Sequence, residues 1–191
     1  MSVSPLHGDE PASAWVRRWS HLAPAGGSVL DVACGRGRHA RWFAALGHRV
    51  TALDRSAEAL AAIGLPAERC ETVLADIEGG PWPLPGRQFD ALVVTNYLWR
   101  SLMETLLVSI APGGVLIYET FAAGNETVGK PSRPDFLLQP GELLQLCQSL
   151  RTVAYEDGFE TGLAGSTGRF VQRIAAVREL PASLPAQHRL A

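Results

Sequence analysis

The sequence predicts an α/β domain built on a doubly wound, seven-stranded, mostly parallel sheet with one antiparallel strand at its edge. Three observations carry this expectation. Short apolar runs alternate with amphipathic stretches as far as residue 119. Gly35 and Gly37 break the chain directly after the first run, where a strand must turn into a helix. The last two strand-like runs, 153–156 and 170–177, are joined by a Gly/Thr-rich connection too short for a crossover helix, so they must pair antiparallel.

The elements follow in order. Residues 12–21 are helix-like, with Trp15 and Trp19 four apart on one face, and Ala25-Gly26-Gly27 ends them. Residues 28–33 (SVLDVA) form a buried strand. Residues 38–46 place Ala40, Phe43 and Ala44 on one helical face, with Gly47 as the stop. Residues 49–54 make a second strand; Ser56 caps a helix with Glu58 in its first turn, closed by Gly64 and Pro66. A third strand spans 71–76, a Pro/Gly-rich loop 79–86 and a fourth strand 89–95. Met103, Leu106, Leu107 and Ile110 mark an amphipathic helix, Pro112-Gly113-Gly114 a turn, and 115–119 a fifth strand. A long polar loop (120–138) precedes a helix that Pro140 opens, carrying Leu143, Leu146, Cys147 and Leu150. The expected organisation is one domain: an N-terminal lid or anchoring segment (1–26), a core (27–180) and a tail (181–191).

Composition narrows the function classes. The 191 residues are 47% apolar and 19% charged, as in an ordinary globular domain. A net charge of −2 gives no field for holding a polyanion, so nucleic acid is not an expected partner. Cys34, Cys70 and Cys147 are too few and scattered for a disulfide framework or zinc site, and the five histidines show no metal-ligand spacing. No secretory signal and no membrane-spanning run is read, which makes the cytoplasm the expected location and no metal the expected inventory.

The chemistry concentrates at Asp31-Val32-Ala33-Cys34-Gly35-Arg36-Gly37. Two glycines let the backbone turn off a strand and approach a ligand with no side chain in the way. Gly35-x-Gly37-x-x-Ala40 also satisfies a dinucleotide fingerprint. A pyrophosphate at that turn would be repelled by a carboxylate, however, and Asp31 lies four residues before Gly35. Asp31 suits a ligand that presents an ammonium group. Asp54, at the end of the second strand, can accept from both hydroxyls of a ribose. Asp76, at the end of the third, can accept from the exocyclic amine of adenine. Three acids at successive strand ends form a row along one edge of the sheet.

On these residues the chain resembles the class I S-adenosylmethionine-dependent methyltransferases, with a Rossmann-like fold, over about residues 29–177. The stretches Tyr118-Glu119-Thr120-Phe121, Gly124-Asn125-Glu126 and Pro131-Ser132-Arg133-Pro134-Asp135-Phe136 are similar to a bacterial subgroup of tellurite-resistance-type methyltransferases. The resemblance implies S-adenosylmethionine as methyl donor and S-adenosylhomocysteine as product. Asp31, Gly35 and Gly37 would hold the methionine end, Asp54 the ribose, Asp76 and Ile77 the adenine, while Asn96 and Tyr97 would border the sulfonium. Ala33, Cys34 and Arg55 adjoin these and complete the expected donor site.

The acceptor side is less defined, and a small molecule is the expected acceptor. Tyr97, Arg100 and Glu119 are the candidate catalytic residues; Glu119 could equally pair Arg100 or Arg133. The motif Thr95-Asn96-Tyr97-Leu98 lacks the two prolines usual in enzymes that methylate exocyclic base amines. The loop 121–138 is expected to cover the acceptor, with Asn125 and Arg133 pointing inward or bracing it. The N-terminal segment is expected to anchor to the core through Trp15 and Trp19, or to close over the donor with His7 and Asp9 near the ligand. A donor-binding protein without catalysis and a nicotinamide-dependent oxidoreductase remain the alternatives. Oligomeric state is open.

Overall fold

The computed structural model describes residues 10–162, 167–180 and 187–190. His7 and Asp9 lie outside the described residues, as does part of the expected tail. The chain forms β1 (Ser28–Val32), β2 (Arg49–Asp54), β3 (Cys70–Leu74), β4 (Phe89–Thr95), β5 (Ile110–Phe121), β6 (Arg151–Glu160) and β7 (Arg169–Val177). Its helices are α1 (Ala14–Trp19), α2 (Arg38–Ala45), α3 (Ala57–Ala61), α4 (Met103–Val108) and α5 (Glu142–Leu146).

The seven strands form one sheet in the order β3-β2-β1-β4-β5-β7-β6. Strands β1 to β5 are parallel where they adjoin, and β7 is antiparallel to both its neighbours. The antiparallel strand therefore sits one place in from the margin. Its hairpin partner β6 takes the edge.

Alternation along the strands sorts two cores. Val29, Ala91, Val93, Val115 and Ile117 face Trp15, Trp19 and Phe43. Leu30, Val32, Leu92, Val94, Leu116 and Tyr118 face Met103, Leu106 and Leu143. Near-continuous apolar runs are what a strand covered on both faces requires. Among the described residues, Ser13 caps α1 through Oγ, Trp15 Nε1 donates to the Ile174 carbonyl, and Trp15 and Trp19 are buried in the core. The helix is shorter than residues 12–21, because a 3-10 turn (Ser20–Leu22) takes over after Trp19.

Two boundaries differ from the sequence reading for a physical reason. The Pro112-Gly113-Gly114 segment is not a turn outside the sheet. Strand pairing resumes across an irregularity between Phe89 and Ala91, and β5 runs through it. Asp76 lies past the end of β3 rather than on it, since hydrogen bonding of the strand stops at Leu74.

Candidate donor-binding site

The order of the sheet reverses between β1 and β4, the place where α/β sheets open a crevice at the carboxyl ends of their strands. There β1 runs into a strained turn: Ala33 has φ 50°, Gly35 φ 54° and Gly37 φ 75°. A side chain on Gly37 would strike Ile63 Cγ1 at 2.7 Å, whereas a side chain on Gly35 would project into open space. Gly37 therefore serves the packing of α2, and Gly35 leaves room on the cleft side. On the far wall Asn96, just after β4, has φ 55°. Left-handed backbone at a non-glycine residue on both walls costs energy and is typical of a functional cleft.

Asp54 joins the two halves of the cleft. Its Oδ2 accepts from Gly35 N at 2.8 Å and its Oδ1 from Ser56 N at 2.8 Å, fixing the carboxylate while leaving further lone pairs. On one side the cleft is walled by Ala33, Asp54, Arg55, Ala75, Asp76, Ile77, Glu78 and Tyr97. On the other side Ala33, Cys34, Gly35, Asp54, Thr95 and Asn96 meet Glu10, Arg36, Arg38 and His39. Backbone amides of Glu78 and Gly79 donate to Asp76 Oδ1 and hold its carboxyl below the usual range.

Asp31 stands behind this wall rather than on it, only 1% exposed, and its Oδ2 accepts from Ala40 N at 3.0 Å. Burial pushes its carboxyl up to about 7, against the Ala40 amide and Arg38, which pull it down; Asp54 adds to the rise. Burial likewise pushes the Cys34 thiol far up, so it stays protonated and unreactive.

Several expected site residues are placed elsewhere. Tyr97 lines the Asp76 side with Ile77 and Glu78, and does not share the Asn96 wall. Its hydroxyl is buried beside the Glu78 carboxylate without a well-formed hydrogen bond; burial first, then Glu78, raises its pKa. The carbonyl of Tyr97 accepts from Tyr118 Oη at 2.7 Å, which fixes the chain after Asn96. Arg100 is outside the cleft: Nε reaches Glu142 at 2.6 Å and its terminal nitrogens the Asp135 and Leu137 carbonyls, stapling the loop to α5.

Glu119 pairs neither Arg100 nor Arg133. It is buried, with Arg173 Nε at 2.5 Å and Arg169 Nη2 at 3.4 Å. Arg133 does not point inward, since its side chain is 71% exposed, bound to Asp135 and stacked on Phe136. Asn125 is the brace: Nδ2 donates to the Pro131 carbonyl and Oδ1 accepts from Phe170 N.

The residues missed by sequence reasoning are Thr95, His39, Glu78, Arg169 and Arg173. Arg169 and Arg173 did leave a signal, because residues four apart on a strand share a face. Among the described residues no group of three or more His, Cys, Asp or Glu side chains is arranged to hold a metal. No described helix is long and apolar enough to cross a membrane.

The sheet order, with its crevice at the β1/β4 reversal, is the fold that solved methyltransferase structures share with this chain. A model described as a methyltransferase domain matches residues 29–114 of this chain. The TehB structure from Haemophilus influenzae superposes with a TM-score of 0.70 at 21% identity, over 93% of this chain and 64% of that one. A TehB-like S-adenosylmethionine-dependent methyltransferase from Corynebacterium glutamicum gives 0.57 at 19% identity, covering 87% of each. A malonyl-[acyl-carrier protein] O-methyltransferase of Enterobacter lignolyticus is 40% identical over 101 residues, half of this chain. The chain spans only 39% of that relative's length.

If Asp54 holds a ribose, Asp54→Ala is expected to weaken donor binding about ten-fold or more, from losing roughly 1.5–3 kcal/mol of charged hydrogen bonding. The variant also orphans Gly35 N, so its melting temperature should fall as well. Titration calorimetry on Asp54→Asn, which keeps one acceptor, separates the two effects. Unchanged affinity in both variants would remove Asp54 from the site.

Proposed function

We propose that this chain is a single-domain S-adenosylmethionine-dependent methyltransferase that transfers the methyl group to a small-molecule acceptor by in-line displacement. The observation that carries the reading is Asp54, held by the glycine turn at the junction of the two halves of the cleft. When bound, the donor supplies a methyl group already activated by a positive sulfur. The protein then has to bind, orient and exclude water.

In this reading Asp54 accepts from the ribose, while Asp76, Ile77 and Tyr97 enclose the adenine. Ala33, Cys34, Gly35 and Asn96 form the wall along the methionine end, with Arg55 at the ribose rim. Asp31 contributes its charge from behind that wall. The acceptor enters over the carboxyl ends of β4 and β5, beneath the loop that Arg100 and Asn125 hold in place. Arg100, Asn125, Arg133 and Glu119 then position that side of the site and do not touch the reacting atoms. A protein-borne acceptor is the second reading, favoured by the name of the malonyl-carrier-protein relative. A net charge of −2 favours a small-molecule acceptor over a polyanion such as nucleic acid.

Ligand-dependent melting tests the donor. S-adenosylmethionine and S-adenosylhomocysteine should raise the melting temperature, since a ligand that binds only the folded state stabilises it by mass action. NAD and NADP should leave it unchanged. Stabilisation by NAD alone would overturn the reading in favour of the nicotinamide alternative.

A further inference from the structure

One buried side chain on the methionine side of the cleft has no part in the scheme above. His39 is 2% exposed on the first turn of α2, and it touches two other elements. Its Nε2 lies 3.3 Å from the backbone N of Ser13, and its Nδ1 lies 3.4 Å from Thr95 Oγ1.

An amide N–H can only donate, so Nε2 must be the acceptor and carries no proton. Burial, with the Arg38 charge beside it, lowers the imidazole pKa to about 3, so the ring is neutral at ordinary pH. A neutral imidazole has one proton, and that proton is therefore on Nδ1. The Nδ1–H donates and Thr95 Oγ1 accepts. The single hydroxyl proton of Thr95 must then point elsewhere, and among the described residues it finds no acceptor. Thr95 lines the cleft alongside Asn96, Gly35, Arg36 and Arg38.

We propose that Thr95 is a donor-binding residue whose hydroxyl donates to the amino-acid carboxylate of the ligand, and that His39 is the positioning residue that aims it. The inference rests on the donor reading of this same cleft. It assigns a direction to the ligand's amino-acid end. The carboxylate lies toward Thr95, beside the Arg38–Glu10 pair, whose members are 3.2 Å apart. The groups that face His39 are Asp31 from β1, with Oδ1 at 4.0 Å, Thr95 from β4, Arg38 from α2 and the Ser13 amide from the N-terminal segment. The relay also ties the N-cap of α1 to the floor of the ligand site.

Calorimetry with S-adenosylhomocysteine and with its decarboxylated analogue tests this on the full chain. The parent should prefer the carboxylate-bearing ligand. Thr95→Val should weaken S-adenosylhomocysteine roughly ten-fold, as loss of one charge-assisted bond implies, and leave the analogue unchanged. Thr95→Ser, which keeps the hydroxyl, should restore the preference. His39→Phe should lose it too, with the melting temperature as the check on folding; if that variant does not fold, the Thr95 pair decides. A Thr95→Val variant that keeps the parent's preference overturns the inference while the donor reading stands. A parent chain that binds neither ligand overturns both.

Discussion

Asp31→Asn is expected to make the free protein more stable at pH 8 than its parent while weakening its hold on the donor. The folded-state pKa of Asp31 is raised from 3.8 to about 7, chiefly by burial. The folded chain thus binds this proton more tightly than the unfolded chain does. The stabilisation is complete below about pH 4 and is lost as pH rises to about 7. Above pH 7 the parent carries a buried charge, a cost on the order of 4 kcal/mol by the usual conversion of pKa shift to free energy. Asparagine removes that cost and keeps an oxygen for the Ala40 amide, so the advantage of the variant should grow from pH 5 to pH 8. The groups that set this balance are Arg38, which lowers the pKa, and Asp54, which raises it.

The same charge should serve binding. An ammonium group in the cleft favours ionised Asp31, so donor affinity should rise with pH up to about 7 in the parent. In Asp31→Asn the profile should be flat and the affinity lower by about ten-fold, for an interaction of roughly 1.5–3 kcal/mol. Thermal melts and calorimetry at pH 5, 6, 7 and 8 read both effects. A melting gap that does not widen with pH would show that Asp31 does not titrate in this range. Equal affinities at pH 8 would show that no ammonium group lies near it.

The parts of this protein legible in the sequence are those governed by local periodicity. The apolar runs of β1, β2 and β4 announce strands covered on both faces, and Ser56 caps α3 as its position suggests, by accepting from Ala59 N. The glycine turn and Asp54 were legible because their spacing fixes them at adjacent strand ends. What was not legible depends on where a long side chain goes. Arg100 crosses to Glu142, 42 residues away, and nothing at Arg100 itself signals that partner. His39 reads as one more polar position on a helix until the fold buries it between α1 and β4. Asp31 has the right place in the sequence, yet only the packing of α2 against β1 sets it behind the cleft wall. Glu119 meets neither Arg100 nor Arg133, because alternation along β7 sets Arg173 directly across from it.

That last placement yields the other large expected effect. Glu119, Arg173 and Glu156 lie directly across from one another on β5, β7 and β6. Arg173 also binds Glu160, and Arg169 links Glu160, Glu119 and the Asn96 side chain at 3.5 Å. The cluster holds three acids and two arginines, so it is no pocket for an anionic acceptor. It is a cross-strand pairing that fixes the end of β5 beside Asn96. Glu119→Ala removes the most buried member and leaves Arg173, whose side chain is 11% exposed, leaning on Glu156 and Glu160 alone. Breaking a buried pair in this way costs about 3–5 kcal/mol, and the two remaining acids place the expectation near the lower end. Glu119→Gln keeps the shape and an acceptor oxygen and should cost less than half as much. Denaturant unfolding measures both. Turnover distinguishes the roles: as a positioning residue Glu119 should lose activity in proportion to lost stability, with Gln close to the parent. A Gln variant that folds as firmly as the parent, binds the donor equally well and yet transfers no methyl group would make Glu119 the base that the acceptor requires.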